Sequence, residues 1–250
     1  MPLRVLSEYL DGYLRVAEVP DYPTALNGLQ VENDGVITRV AVAVDAVQAT
    51  IEAAVAAKAD LLLVHHGLFW DGNQPVTGRR YRRLKRLIDT GVAVYSAHLP
   101  LDVHPEVGNN AVLARALGIE IDGTVGNYRG HPIGVSGRLE LRREALAARL
   151  DELLGCRVKV VAGGPERTTK VGVVTGGGAG EIAAARQLGI DTFITGEGAH
   201  HNYFDAEEGG MNLLLGGHYA TETWGVKALG RHLEERFGLP WTFIDHPTGL

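Results

Sequence analysis

Apolar residues recur along this chain in two rhythms that alternate from end to end. Leu3, Leu6, Leu10 and Leu14 fall at helical spacing and predict a helix over 3–14. The β-branched run at 37–44, bounded by Gly35 and Asp45, predicts a strand. A helical stretch at 46–58, an apolar strand at 61–64, a helix near 79–89, a strand at 92–97 and a helix near 109–117 follow. Beyond a turn-rich stretch near 122–132 a second series begins, with strand 133–139, helix 142–154 and strands 157–161 and 171–174. Helix 181–188, strand 192–194, a short helix near 200–208 and strand 212–215 continue it. A helix over 219–237, burying Val226, Leu229, Leu233 and Phe237, and a strand at 241–244 close the chain. Alternation of this kind calls for an α/β fold rather than all-α or all-β layers. ITRVAVAV, ADLLLVHHG and GVAVYSAH in the first series are echoed by TKVGVVTGG, IDTFITGEG and MNLLLGGH in the second. The expectation is two related three-layer α/β domains.

Composition narrows the class. At 250 residues, 45% hydrophobic and 22% charged, the chain is globular and large enough for two cores. Its 33 glycines suit many tight turns. No run approaches the ~18 apolar residues of a membrane span, and Glu8 and Asp11 interrupt the opening segment where a signal peptide is apolar. A soluble, cytoplasmic protein with no membrane partner is expected. The single Cys156 excludes an internal disulfide and any multi-cysteine metal site, and it stands apart from every motif below. A net charge of −6 argues against nonspecific nucleic-acid binding by the whole chain. The charge is uneven, however. Arg79, Arg80, Arg82, Arg83, Lys85 and Arg86 crowd one predicted helix, which is expected to expose them while Tyr81, Leu84 and Ile88 face inward.

The histidines carry the chemistry. In open α/β sheets, function gathers at the carboxyl ends of the strands. His65 and His66 end strand 61–64, and His98 ends strand 92–97 with Asp102 four residues on. Glu197, His200 and His201 follow strand 192–194; His218 follows strand 212–215, with Glu222 one helical turn beyond. Adjacent side chains inside a strand point to opposite faces, so His65 and His66 are expected just past the strand's end, where the chain turns at Gly67. Pro100 predicts a loop from His98 to Asp102 that folds the carboxylate back. Three histidines and two carboxylates with no thiolate suit zinc, manganese, iron, cobalt or nickel. Five ligands are about right for two ions sharing a carboxylate.

LLLVHHGLFW at 61–70, AHLPLD at 97–102, TGEGAHH at 195–201, GGHYATE at 216–222 and LNGLQVE at 26–32 resemble the motifs of the Nif-three-like family. Its members are described as dinuclear-metal-centre hexameric proteins and as type 2 homologues of GTP cyclohydrolase 1. The resemblance implies a second domain, 126–215, inserted before the final helix and strand return to a first, metal-binding domain formed by 1–125 and 216–250. It implies a toroidal homohexamer and two divalent ions per subunit, held by His65, His66, Asp102, His218 and Glu222, with Glu222 bridging. His98 and Glu197 match family positions beside the metals. With His201 they are the expected movers of protons.

Other signals are weaker. TGGGAG at 175–180 could cradle a phosphate at a helix start, or simply make a tight turn; it is neither a dinucleotide nor a P-loop motif. No G-x-S-x-G elbow supports a serine hydrolase. In a hexamer the basic run could instead draw a small anionic substrate or a nucleic-acid strand into a cavity. The expected function is a metal-dependent hydrolase of a nucleotide, phosphoester or cyclic amide. The alternative is a non-enzymatic metal-binding scaffold, or a metal-delivery protein acting on protein or nucleic-acid partners.

Overall fold

The computed structural model describes residues 1–249. They form an α/β fold with two mixed sheets, each in its own compact unit. One unit is Met1–Leu101 with Val226–His246; the other is Asp102–Gly225 with the residues from Pro247. The strands of the second sheet are thus inserted before the last helix and strand of the chain return to the first.

In the first unit, β1 (Gly28–Val31), β2 (Val40–Asp45), β3 (Leu61–His66) and β4 (Ala93–Ser96) are ordered β1-β4-β3-β2, and the C-terminal strand Trp241–Phe243 is added beside β2. All pairs are parallel except β1 with β4. Such strands are covered on both faces, which is why VAVAV and LLLV are apolar without alternation. Helices α1 (Leu3–Tyr13), α2 (Gln48–Ala56) and α3 (Gly78–Thr90) belong to this unit. Ile51, Ala54 and Leu87 of α2 and α3 pack with Ala41, Ala43, Leu62 and Val64 of the sheet.

The inward face of α3 differs from the expected one. Tyr81 and Ile88 are 50% and 68% exposed, whereas Leu87 is fully buried and Leu84 half-buried. The inner face is therefore 80, 83, 84 and 87, the i, i+3, i+4, i+7 set. Two of the arginines expected in solvent, Arg80 and Arg83, turn inward with it.

Two further local expectations give way. The short helix α4 (Leu99–Asp102) replaces the loop predicted from Pro100. Proline is accepted in a helix's first turn, where its missing N–H has no partner to lose. Strand β3 also runs on through both histidines, Asp45 pairing with His66 across the sheet.

The second unit contains α5 (Asn109–Ala116), β5 (Glu120–Val125), β6 (Gly134–Arg142), α6 (Arg143–Leu154), β7 (Lys159–Ala162) and β8 (Arg167–Val174). It continues with α7 (Ile182–Gln187), β9 (Thr192–Thr195), α8 (His200–Gly209) and β10 (Asn212–Leu215). Its sheet order is β5-β6-β8-β9-β10-β7, with β8, β9 and β10 parallel and the other pairs antiparallel. Residues 102–125, expected with the first domain, cluster here because β5 pairs along β6 and Leu113 and Leu117 enter the core of this unit. Residues 216–225 also cluster here. Helix α9 (His218–Phe237) carries the chain back, with Val226, Leu229 and Leu233 buried and Phe237 half-buried. No helix among the described residues is long and apolar enough to cross a membrane.

One device occurs in both units. Asp60 Oδ2 accepts from Thr38 N–H, Thr38 Oγ1 and Arg39 N–H at 2.7, 2.7 and 3.0 Å. Asp191 Oδ2 accepts from Thr169 N–H, Thr169 Oγ1 and Lys170 N–H at 2.9, 2.6 and 2.9 Å. Each aspartate precedes the second strand of a βαβ unit and latches the start of the first. Asp191 Oδ1 also accepts from Thr168 and Thr192 hydroxyls. Burial alone would raise the Asp191 pKa, but these donors outweigh it and hold the carboxyl below its usual 3.8. Because the folded pKa is depressed, the stabilisation is complete above pH 3.8 and fades as pH falls through the lower folded value. Asp191→Asn is therefore expected to lose about 2 kcal/mol at pH 7 through mismatched donors. Urea denaturation should show that gap narrowing below pH 3.8.

Candidate metal centre

In the first unit, the carboxyl ends of β3 and β4 bring three imidazoles together. The ligand atoms of His65, His66 and His98 lie within 4.8 Å of one another. His65 is fully buried, and its Nδ1 donates to the Ala97 carbonyl at 2.9 Å. His66 Nδ1 is 2.9 Å from Asp45 Oδ1, the carboxylate that ends the neighbouring β2. His98 Nδ1 is 2.9 and 3.1 Å from the two oxygens of Asp21. The backbone fixes that last pair: Asp21 Oδ2 accepts from Leu99 N–H at 2.9 Å, and Asn27 Oδ1 accepts from His98 N–H at 2.7 Å. Burial would raise the Asp21 pKa, but the hydrogen bond and charge of His98 win and lower it.

Each of these contacts settles a tautomer. A carbonyl or carboxylate only accepts, so Nδ1 carries a proton in each ring, and whenever a ring is neutral its lone pair is on Nε2. This is how metal-binding histidines are usually oriented, the far nitrogen tied to an acceptor and the near one turned to the ion. Alternation along the strand does not keep the His65 and His66 rings apart. Although both residues lie within β3, their rings meet at 4.7 Å between centroids. The loop beyond is held by Gln30, whose Oε1 accepts from Leu68 N–H at 2.7 Å. A Cβ at Gly67 would stand 2.2 Å from Gln30 Nε2, so a side chain there would push the Gln30 amide off Leu68.

In the second unit, His218 opens α9 between two carboxylates. Its Nδ1 is 2.9 Å from Glu197 Oε1, and its Nε2 is 3.2 Å from Glu222 Oε1, one helical turn along. Glu222 is 3% exposed, whereas Glu197 is exposed. The Glu222 hydrogen bond, opposed by burial and helped by both carboxylate charges, pushes the His218 pKa up to about 9. The pair therefore holds a proton at neutral pH. Asp102 is buried nearby in sequence to α5; its Oδ1 accepts from Asn109 Nδ2 at 2.8 Å and Thr175 Oγ1 at 3.4 Å.

The glycine turn after β8 frames the His218–Glu222 pair and explains TGGGAG without a phosphate. Gly176 has φ +64°, and its O accepts from Gly196 N–H and Glu197 N–H at 2.9 and 3.0 Å. His201 stands elsewhere, exposed on α8 in a hollow with Arg186, Asp205 and Met211.

Sequence reasoning missed the residues that aim the imidazoles. Asp45 had a readable signal, a carboxylate closing a buried strand one pairing away from His66. Asp21 had none, lying in an irregular turn far along the chain from His98.

Residues 1–248 match the family Duf34/NIF3 (NGG1p interacting factor 3). A protein of Deinococcus radiodurans named GTP cyclohydrolase 1 type 2 homolog is 45% identical over 98% of this chain and 93% of its own length. One of the same name from Halobacterium salinarum is 45% identical over 98% of both chains. The crystal structure of TTHA1606 from Thermus thermophilus is 44% identical, covers both chains completely and superposes with a TM-score of 0.92.

Proposed function

Because this chain belongs to the Duf34/NIF3 family, we propose that it is a metal-dependent hydrolase whose two divalent ions are held by His65, His66, Asp102, His218 and Glu222. The observation that carries the reading is a contact shared by four imidazoles, each with Nδ1 against an acceptor. The donors are nitrogen and carboxylate oxygen without thiolate, which suits zinc, manganese, iron, cobalt or nickel. Bound ions of this kind lower the pKa of a water and stabilise negative charge developing on the substrate.

The protein's own groups have separable tasks. The Ala97 carbonyl and Asp45 hold His65 and His66 in one orientation, so their lone pairs need no rearrangement. Glu222, buried with an oxygen on His218, would hold metal beside that imidazole and is the carboxylate best placed to be shared between ions. His98, fixed by Asp21, and Glu197, bound to the far side of His218, are assigned the transfer of protons to and from the substrate. The substrate class is a nucleotide, phosphoester or cyclic amide, and the relatives' name favours the first.

Protein purified without added metal is expected to hold about two ions per chain by elemental analysis. It should also turn over a member of one of those three substrate classes, stopped by chelation and restored by metal. Tight metal binding with no turnover in any class would instead make the chain a metal-carrying scaffold or delivery protein.

A further inference from the structure

The inward turn of α3 has a chemical result. Arg79, Arg80 and Arg83 line one pocket of about 250 Å³ together with Trp70, Asp71 and His66. All of these residues belong to the first unit. Arg80 is built in: its Nη1 donates to the Gly72 carbonyl at 2.9 Å and reaches Asp71 at 3.3 Å, and its guanidinium lies 5.0 Å above the Phe69 ring. Arg83 is different. Among the described residues it has no hydrogen bond and no ion pair, and its Nε is buried without a partner. Arg80 Nε and Trp70 Nε1 are likewise buried without an acceptor.

Charge leads the same way. Asp71 is shared by Arg79 and Arg80, and Asp45 is taken by His66, so no carboxylate of this wall is hydrogen-bonded or ion-paired to Arg83. Burial, then the neighbouring Arg79 and Arg82, depress the Arg83 pKa, with Asp71 opposing them. A guanidinium does not deprotonate in proteins, so such a group is satisfied by an acceptor or not at all. Buried polar groups lacking partners are rare in folded proteins, and three donors of this kind on residues of one pocket wall are a strong local signal.

We propose that Trp70, Arg80 and Arg83 form an oxyanion subsite that takes a phosphate group of the substrate beside His66. A planar carboxylate is matched by one guanidinium fork, whereas two guanidinium groups and an indole suit a tetrahedral group with three acceptor oxygens. The Phe69 face, Gly72 and Asp71 keep Arg80 in place, so little ordering accompanies binding. The pocket also borders Ala46, Val47, Leu68 and Leu84, apolar surface for whatever carries the phosphate. Naming the bound group as substrate rests on the hydrolase reading; the affinity of the pocket for phosphate does not.

The test is calorimetric titration of inorganic phosphate into the full chain, with chelator present so that metal-bound phosphate does not contribute. Sodium chloride at matched ionic strength serves as the control. Saturable binding is expected, about ten- to a hundredfold weaker in Arg83→Gln, the range for a hydrogen bond to a charged group. Trp70→Phe, which keeps an aromatic ring and removes the donor, should weaken binding severalfold. Glu222→Gln should bind phosphate as the wild type does, even where it loses metal and turnover. Affinity unchanged in both Arg83→Gln and Trp70→Phe, or reproduced by chloride, overturns the subsite. So does binding lost in Glu222→Gln but kept in Arg83→Gln. Should Arg83→Gln fail to fold by circular dichroism, Trp70→Phe and Arg83→Lys decide, the latter weakening binding because a lysine lacks the planar fork.

Discussion

Glu222→Ala is expected to bind metal at least a hundredfold more weakly than the wild type while remaining folded. Loss of an outer partner of a metal ligand costs about ten- to a hundredfold, and removal of a ligand itself should exceed that. Glu222 is a buried carboxylate with its Oε1 3.2 Å from His218 Nε2, and its hydrogen bond is the main force raising the His218 pKa. In the variant that nitrogen keeps no carboxylate on α9, and His218 should titrate below its present value of about 9. Competition against a chromophoric chelator measures the affinity, and elemental analysis after dialysis measures the content. Wild-type content in the variant would remove Glu222 from the ligand set and, with it, the argument for a bridged pair.

Gly176→Ala is the second large effect, and it comes from backbone rather than donors. With φ at +64°, an L side chain at 176 is strained from the start. Its Cβ would also stand 2.1 Å from Glu222 Oε1 and 3.3 Å from His218 Nε2. Neither neighbour is a loose surface end, since Glu222 is buried and His218 is bonded at both nitrogens. Strain and displacement together should cost about 3 kcal/mol or more, a fall in Tm of roughly 6–12 °C for a chain of this size. Gly177→Ala is the matched control. Its nearest neighbours, Glu197 and His218, are 3.8 and 3.9 Å away, and it should melt within a degree or so of wild type, about 0.5 kcal/mol at most. Equal melting of the two variants would mean that the turn yields and that the His218–Glu222 geometry does not depend on it.

What could be read from the sequence, and what could not, follows from the range of the interactions. Continuous apolar runs mark strands covered on both faces, so β2, β3, β8 and β9 were legible, and with them the histidines and glutamates at their ends. The edge strands β1 and β5 were not. Glu120–Val125 is largely exposed and carries Asp122 and Gly123, the composition of a turn; only its partner β6 makes it a strand. On α3, Tyr81, Leu84 and Ile88 make as good a helical stripe as Leu84 and Leu87 with two arginines, and periodicity alone picks the apolar one. The structure picks the other because Arg80 has Gly72, Asp71 and Phe69 to meet it. The partners of the imidazoles divide the same way: Asp45 announces itself by sheet pairing, whereas Asp21 depends on a turn whose path no local rule specifies.

The paired latches at Asp60 and Asp191 bear on how such a site can come about. Six residues past Asp60 stands His66, and six past Asp191 stands Glu197; fifteen before them stand Asp45 and Gly176. In a symmetric dimer of one such βαβ unit, every substitution at a strand end would appear twice, and both edges would carry the same donors. Two βαβ units within one chain are free of that tie. One edge is rich in nitrogen, with His65, His66 and His98, and the other rich in oxygen, with Glu197, Glu222 and Asp102 beside a single imidazole. The two units can share a latch while their chemistry differs, because each aspartate lies at the opposite end of the strands from the residues that set the donors.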